Sequence, residues 1–165
     1  MQVPMSTEAS SLIIEVDNVF PAMEMPASNE LIFHGDGCYL CVEVRRFLNA
    51  SRHINIDDAL ITFLHQELYH LSHAAFRWIL PHYLKFCLAS NGINAQEETY
   101  FLVFFFSPSA EFKAETYQKL SGLNFEQLKC VVSFLKWCRS NNNWVEIFAD
   151  IDIAIEFMTN YMDSH

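Results

Sequence analysis

Residues 72–92, SHAAFRWILPHYLKFCLASNG, constrain the fold more than any other stretch of this chain. Phe76, Ile79, Leu80, Tyr83, Leu84 and Cys87 recur at intervals of three and four, the period of an amphipathic helix. Ser72 stands where a hydroxyl caps a first turn, and Ser90-Asn91-Gly92 where a chain leaves its last one. Pro81 falls inside the stripe. It removes one backbone donor and presses on the carbonyl of Arg77, so the helix is expected to kink there and wrap around the Phe-rich segment 100–106.

The same period recurs along the chain. Leu12, Ile13, Val16, Val19 and Phe20 predict a helix over about 7–19, and FPAMEMPASNE at 20–30, with two prolines, reads as a connection. Asp36 is a candidate N-cap for a helix to about Asn49, with Leu40, Val44 and Phe47 on one face and Cys41 and Leu48 beside them. INIDD caps a short helix through Leu64. Tyr100–Phe106 suits a buried strand by residue type. Upstream, however, Asn94 and Glu97 have capping-box spacing and Glu97-Glu98 sit in a first turn, so a buried helix is expected. Asn124 and Gln127 repeat the device before LKCVVSFLKWC, and Asn141–Asn143 separate that helix from a last one at about 143–162. The expected fold is all-α: a single compact bundle of about seven helices over 1–165, with a Phe-rich core. With 165 residues, 52% hydrophobic, 15 Phe and only 4 Gly, the chain can fill such a core and is poorly suited to disorder.

Charge narrows the partners. Residues 1–44 hold seven acids and no Lys or Arg, 45–140 eight acids and ten bases, and 141–165 five acids and no base. Direct nucleic-acid binding needs a basic patch that neither end supplies, whereas a basic protein is the natural complement. The N-terminal residues have no basic region followed by an apolar run, and Tyr100–Phe106 is far short of the roughly 20 residues that cross a bilayer. A cytoplasmic protein without membrane association is expected. Five cysteines at irregular positions (38, 41, 87, 130 and 138) fit reduced, mostly buried thiols better than a disulfide framework.

The order SLIIEVDNVFPAMEMP, then VRRFLNASRHINIDDALITFLHQELYHLSHAAFRWILPHYLKFCL, then LNFEQLKCVVSFLKW resembles an uncharacterised bacterial domain-of-unknown-function family of small helical proteins. Its hallmark, an alanine or glutamate, Ala-Phe-Arg, an aromatic pair and Leu-Pro-x-Tyr-Leu, matches Ala74 to Leu84, with Trp78-Ile79 departing from the aromatic pair. The resemblance implies a helical fold and no catalytic residue.

Several constellations invite chemistry. Cys38-x-x-Cys41 is half a zinc site or a redox pair; His34 is close, but no second Cys-x-x-Cys or His-x-His cluster follows. A thioredoxin-like reading needs a preceding strand in an α/β chain. The plainer expectation is two structural, reduced, metal-free cysteines one turn apart, with Cys41 on the buried side. His65, His70 and His73 suggest a hydrolase or metal enzyme, yet His65 and His70 are not in His-Glu-x-x-His order, and His70 and His73 straddle the Ser72 cap. Asp57-Asp58 and Glu97-Glu98 are accounted for by helix starts. No Gly-rich phosphate loop or Gly-x-Ser-x-Gly occurs, so no catalytic residue, metal ligand or cofactor is assigned.

The last helix carries the expected recognition surface. Trp144, Ile147, Phe148, Ile151, Ile155, Met158 and Met162 gather on one side to dock on the core. Ile153 and Phe157 fall on the other, ringed by Glu146, Asp150, Asp152 and Glu156 with no base nearby. The expected function is a non-enzymatic acidic protein-binding module, most concretely an immunity-type protein neutralising a basic bacterial toxin. Alternatives are a small helical scaffold or assembly subunit, self-associating as a homodimer, and an enzyme built on the His65/His70/His73 region.

Overall fold

The computed structural model describes residues 4–165, with Ser90 described by its backbone alone. Eight α-helices, joined by short 3-10 turns, make up an all-α fold with no strand among the described residues. They are α1 (Thr7–Val19), α2 (Tyr39–Ala50), α3 (Asp58–Leu64), α4 (His73–Leu88), α5 (Gln96–Phe105), α6 (Lys113–Leu120), α7 (Phe125–Ser140) and α8 (Phe148–Ser164). None of the described helices is long and apolar enough to cross a membrane.

Helix α4 is the centre. Nine of its residues are buried, from Ala75 to Leu88 and on more than one face, as expected of a helix covered by several neighbours. Ser72 caps it, its Oγ accepting from Ala75 N–H at 3.0 Å, and the helix continues through Pro81. Packing against the Phe-rich segment is aromatic: Phe76 stacks on Phe105 with centroids 4.6 Å apart and meets Phe106 edge-on at 6.3 Å. Tyr83 Oη donates to the Glu98 carbonyl at 2.6 Å, tying the middle of α4 to the start of α5. Segment 100–106 is thus helical up to its C-cap at Phe106.

Helix α7 packs on both α1 and α8. Its capping box forms as expected: Asn124 accepts from Gln127 N–H at 2.9 Å, and the Gln127 side chain accepts from Asn124 N–H at 3.0 Å. Gln127 is fully buried because its amide also donates to the Val19 carbonyl at the end of α1, at 3.1 Å.

Four local expectations are corrected. The cap of α2 is Cys38 and not Asp36, which is drawn instead to Arg45 at 2.5 Å. No capping box forms at Asn94 and Glu97: Ala95 N–H donates to Gly92 O, and that turn sets the first residue of α5 at Gln96. Segment 142–147 is a 3-10 turn bent at the buried Trp144, so α8 starts at Phe148. Helix α6 is an eighth helix. Its buried positions are Thr116, Lys119 and Leu120, so its inward face carries little apolar signal.

Gly92 closes the exit of α4 at φ +78°, and a Cβ there would collide with the Trp144 indole. Gly92→Ala should destabilise the fold by on the order of 2–4 kcal/mol, through left-handed strain and overpacking. Gly35→Ala, where a Cβ meets nothing within 4 Å, should leave the urea midpoint nearly unchanged. Equal midpoints for the two variants would contradict the assignment.

Candidate functional site

Two regions carry the sequence-derived candidates. On α8, Ile151, Ala154, Met158 and Tyr161 face the core, while Ile153 is 52% exposed. Phe157 is half-buried, its ring stacked on Tyr117 of α6 with centroids 5.4 Å apart. Glu146, Asp152 and Glu156 are exposed and Asp150 is half-buried. The six residues lie on α8 and in the turn that leads into it, but a base does lie nearby. Arg139 at the end of α7 pairs with Asp152 at 2.9 Å and stacks 4.1 Å over Phe148, reached across the α7–α8 contact and hidden from a reading of α8 alone. Glu146, Asp150 and Glu156 have no ion-pair partner among the described residues.

The three histidines of the enzyme alternative do not converge. His65 is buried against Phe101, its Nε2 4.0 Å from Glu97; His73 packs beside Gly122. His70 belongs to a different group. A cleft of about 1000 Å³ includes Asp57, His82 and Lys85 in its lining, but Asp57 caps α3 and Lys85 pairs with Asp17.

His70 meets His34, Cys38 and Cys41. An antiparallel bridge between Ile32 and Leu71 brings the two stretches together, with Phe33 N–H donating to His70 O at 2.9 Å and Ser72 N–H to Leu31 O at 3.1 Å. The ligand-bearing atoms of the four side chains all lie within 4.8 Å of one another. Cys41 Sγ is 3.5 Å from His34 Nδ1 and 3.6 Å from His70 Nδ1. On their far sides, His34 Nε2 contacts Glu115 Oε1 at 3.0 Å and His70 Nε2 faces Glu67 Oε2 at 3.4 Å.

The two thiols differ. Cys38 Sγ accepts from Cys41 N–H at the start of α2, which together with the Cys41 thiol draws its pKa down. Cys41 is pushed up to about 11 by burial and by Cys38. Lys119 of α6 is buried 3.8 Å over the Phe33 ring without a hydrogen-bond partner among the described residues. Burial pulls it down to about 8, opposed by the negative charges of Glu115 and Cys41. Sequence spacing pointed to Cys38, Cys41 and His34. His70, 29 residues beyond Cys41, and the α6 side chains carry no linear signal that joins them to the group.

A model of a family described as a family of unknown function, DUF6714, matches residues 44–162. The chain belongs to that family, in agreement with the resemblance seen in its sequence. No curated protein and no solved structure matches the chain.

Iodoacetamide should label Cys38 first in native, chelator-treated protein at neutral pH, because it alone of the five thiols is not buried and its thiolate is held by an N–H. Burial raises Cys87 and Cys130 to about 12 and Cys138 also upward. Peptide mass mapping against time checks the order; comparable early labelling at 87, 130 or 138 would refute it.

Proposed function

We propose that this DUF6714 member is a non-enzymatic, acidic protein-binding module that presents the outer face of α8 to a basic protein, with neutralisation of a basic toxin as its most concrete form. The observation that carries the reading is an apolar centre inside an acidic rim: Ile153 stands exposed beside the half-buried Phe157, among Glu146, Asp150, Asp152 and Glu156. A ring fixed by stacking on Tyr117 loses little rotamer freedom on binding, which favours an anchor. Rim acids contribute mainly to the rate of encounter, and Arg139 neutralises only one of the four. The lack of convergence among His65, His70 and His73 counts against the enzyme alternative.

A photoreactive residue at position 153, expressed in the native host, should trap a basic protein. Against that protein, once purified, Phe157→Ala should weaken binding by about 2 kcal/mol, roughly 30-fold in Kd. Asp150→Lys should slow association and flatten its salt dependence. Crosslinks only to a second copy of the chain would favour the scaffold reading. An identified partner that binds both variants as tightly as wild type would overturn the α8 face.

A further inference from the structure

We propose that His34, Cys38, Cys41 and His70 form a structural zinc site that fastens residues 32–41 to the bundle. It is separate from the α8 face and stands or falls independently of the proposed function.

The first support is distance. In a tetrahedral site with Zn–S of about 2.3 Å and Zn–N of about 2.05 Å, each sulfur lies about 3.6 Å from each ligand nitrogen. Cys41 Sγ lies 3.5 and 3.6 Å from the two Nδ1 atoms. Two thiolates and two imidazoles in a closed set of four are the donor set that selects zinc over the harder divalent ions.

Proton counting supplies the second support, because 3.5 Å would also suit a thiol–imidazole hydrogen bond. Each imidazole turns Nε2 towards a carboxylate, His34 to Glu115 and His70 to Glu67, and a carboxylate only accepts. If both rings are neutral, each proton sits on Nε2, and both Nδ1 atoms aim lone pairs at one sulfur whose single hydrogen also has the His70 carbonyl, 3.8 Å away, as an acceptor. One lone pair is left without a donor. A cation among the four ligand atoms satisfies both, and the carboxylates orient the rings as the outer shell of a zinc site does.

The third support is what else holds this segment. No residue from Ile32 to Leu40 is buried, and Gly35 and Gly37 add no side chain. Apolar packing is therefore a weak anchor for the approach to α2. A metal crosslink from positions 34, 38 and 41 to His70 supplies the restraint. Three of the four ligands precede residue 44, where the family match begins, so the site is a property of the segment leading into that region.

Tag-free protein, incubated with zinc sulfate and desalted, should retain one zinc per chain by elemental analysis and melt at a higher temperature than after chelation. Cobalt(II) in place of zinc should give the intense visible bands of a tetrahedral site and thiolate charge transfer in the near ultraviolet. Cys38→Ser keeps a good helix cap, and His34→Ala alters a partly exposed side chain; both should retain the helical circular dichroism and lose those bands. Glu115→Gln should weaken metal affinity roughly 10- to 100-fold. Zinc should also protect Cys38 from iodoacetamide. Folded wild-type protein that retains no zinc, an octahedral cobalt spectrum, or tetrahedral bands that survive in both ligand variants would overturn the site.

Discussion

Burial of α4 on more than one face is the constraint on which the rest of the structure depends. A helix with nine buried residues must be covered from several sides, and α1, α3, α5 and α6 all pack against it. Phe76 and Tyr83 make the contact with α5, the first through stacked rings and the second through a buried hydrogen bond to Glu98 O. Helix α7 then closes the other side of α1, where Gln127 satisfies the last carbonyl of that helix. These contacts remove apolar surface from water, and the Tyr83 hydroxyl and the Gln127 amide find partners within them.

Polar side chains do unusual duty in α6. Thr116 and Lys119 face inward there, and the hydroxyl of Thr116 is satisfied within its own helix by Phe112 O at 3.1 Å. Lys119 spends its aliphatic stem in the core and its ammonium on the Phe33 ring, where a cation–π contact replaces water in part. The same helix brings Glu115 to His34 and Tyr117 to Phe157. One short helix with a weak apolar signature thus reaches both the His–Cys cluster and the α8 face.

The two regions differ in kind. The α8 face joins an apolar centre to surface charge, a combination suited to association at adjustable salt. The His–Cys cluster is compact, partly buried and backed by two carboxylates, a combination suited to holding a cation and stiffening the chain.

What the sequence by itself determined is local. Helix α1 follows from its apolar period, and the starts of α3, α4 and α7 from Asp57, Ser72 and Asn124, whose side chains accept from the next turn. The all-α class and the family were legible for the same reason, since both rest on residues a few positions apart. Tertiary structure decided the rest. Cys38 displaced Asp36 as the cap of α2, and α6 formed with an inward face of Thr and Lys, because packing against distant helices outweighs a weak local preference. The meeting of Cys41 with His70 required the Ile32–Leu71 bridge, and the pairing of Asp152 with Arg139 required α7 to lie on α8. Neither contact has a period or a motif, because the groups become neighbours only when separate segments bury their surfaces together.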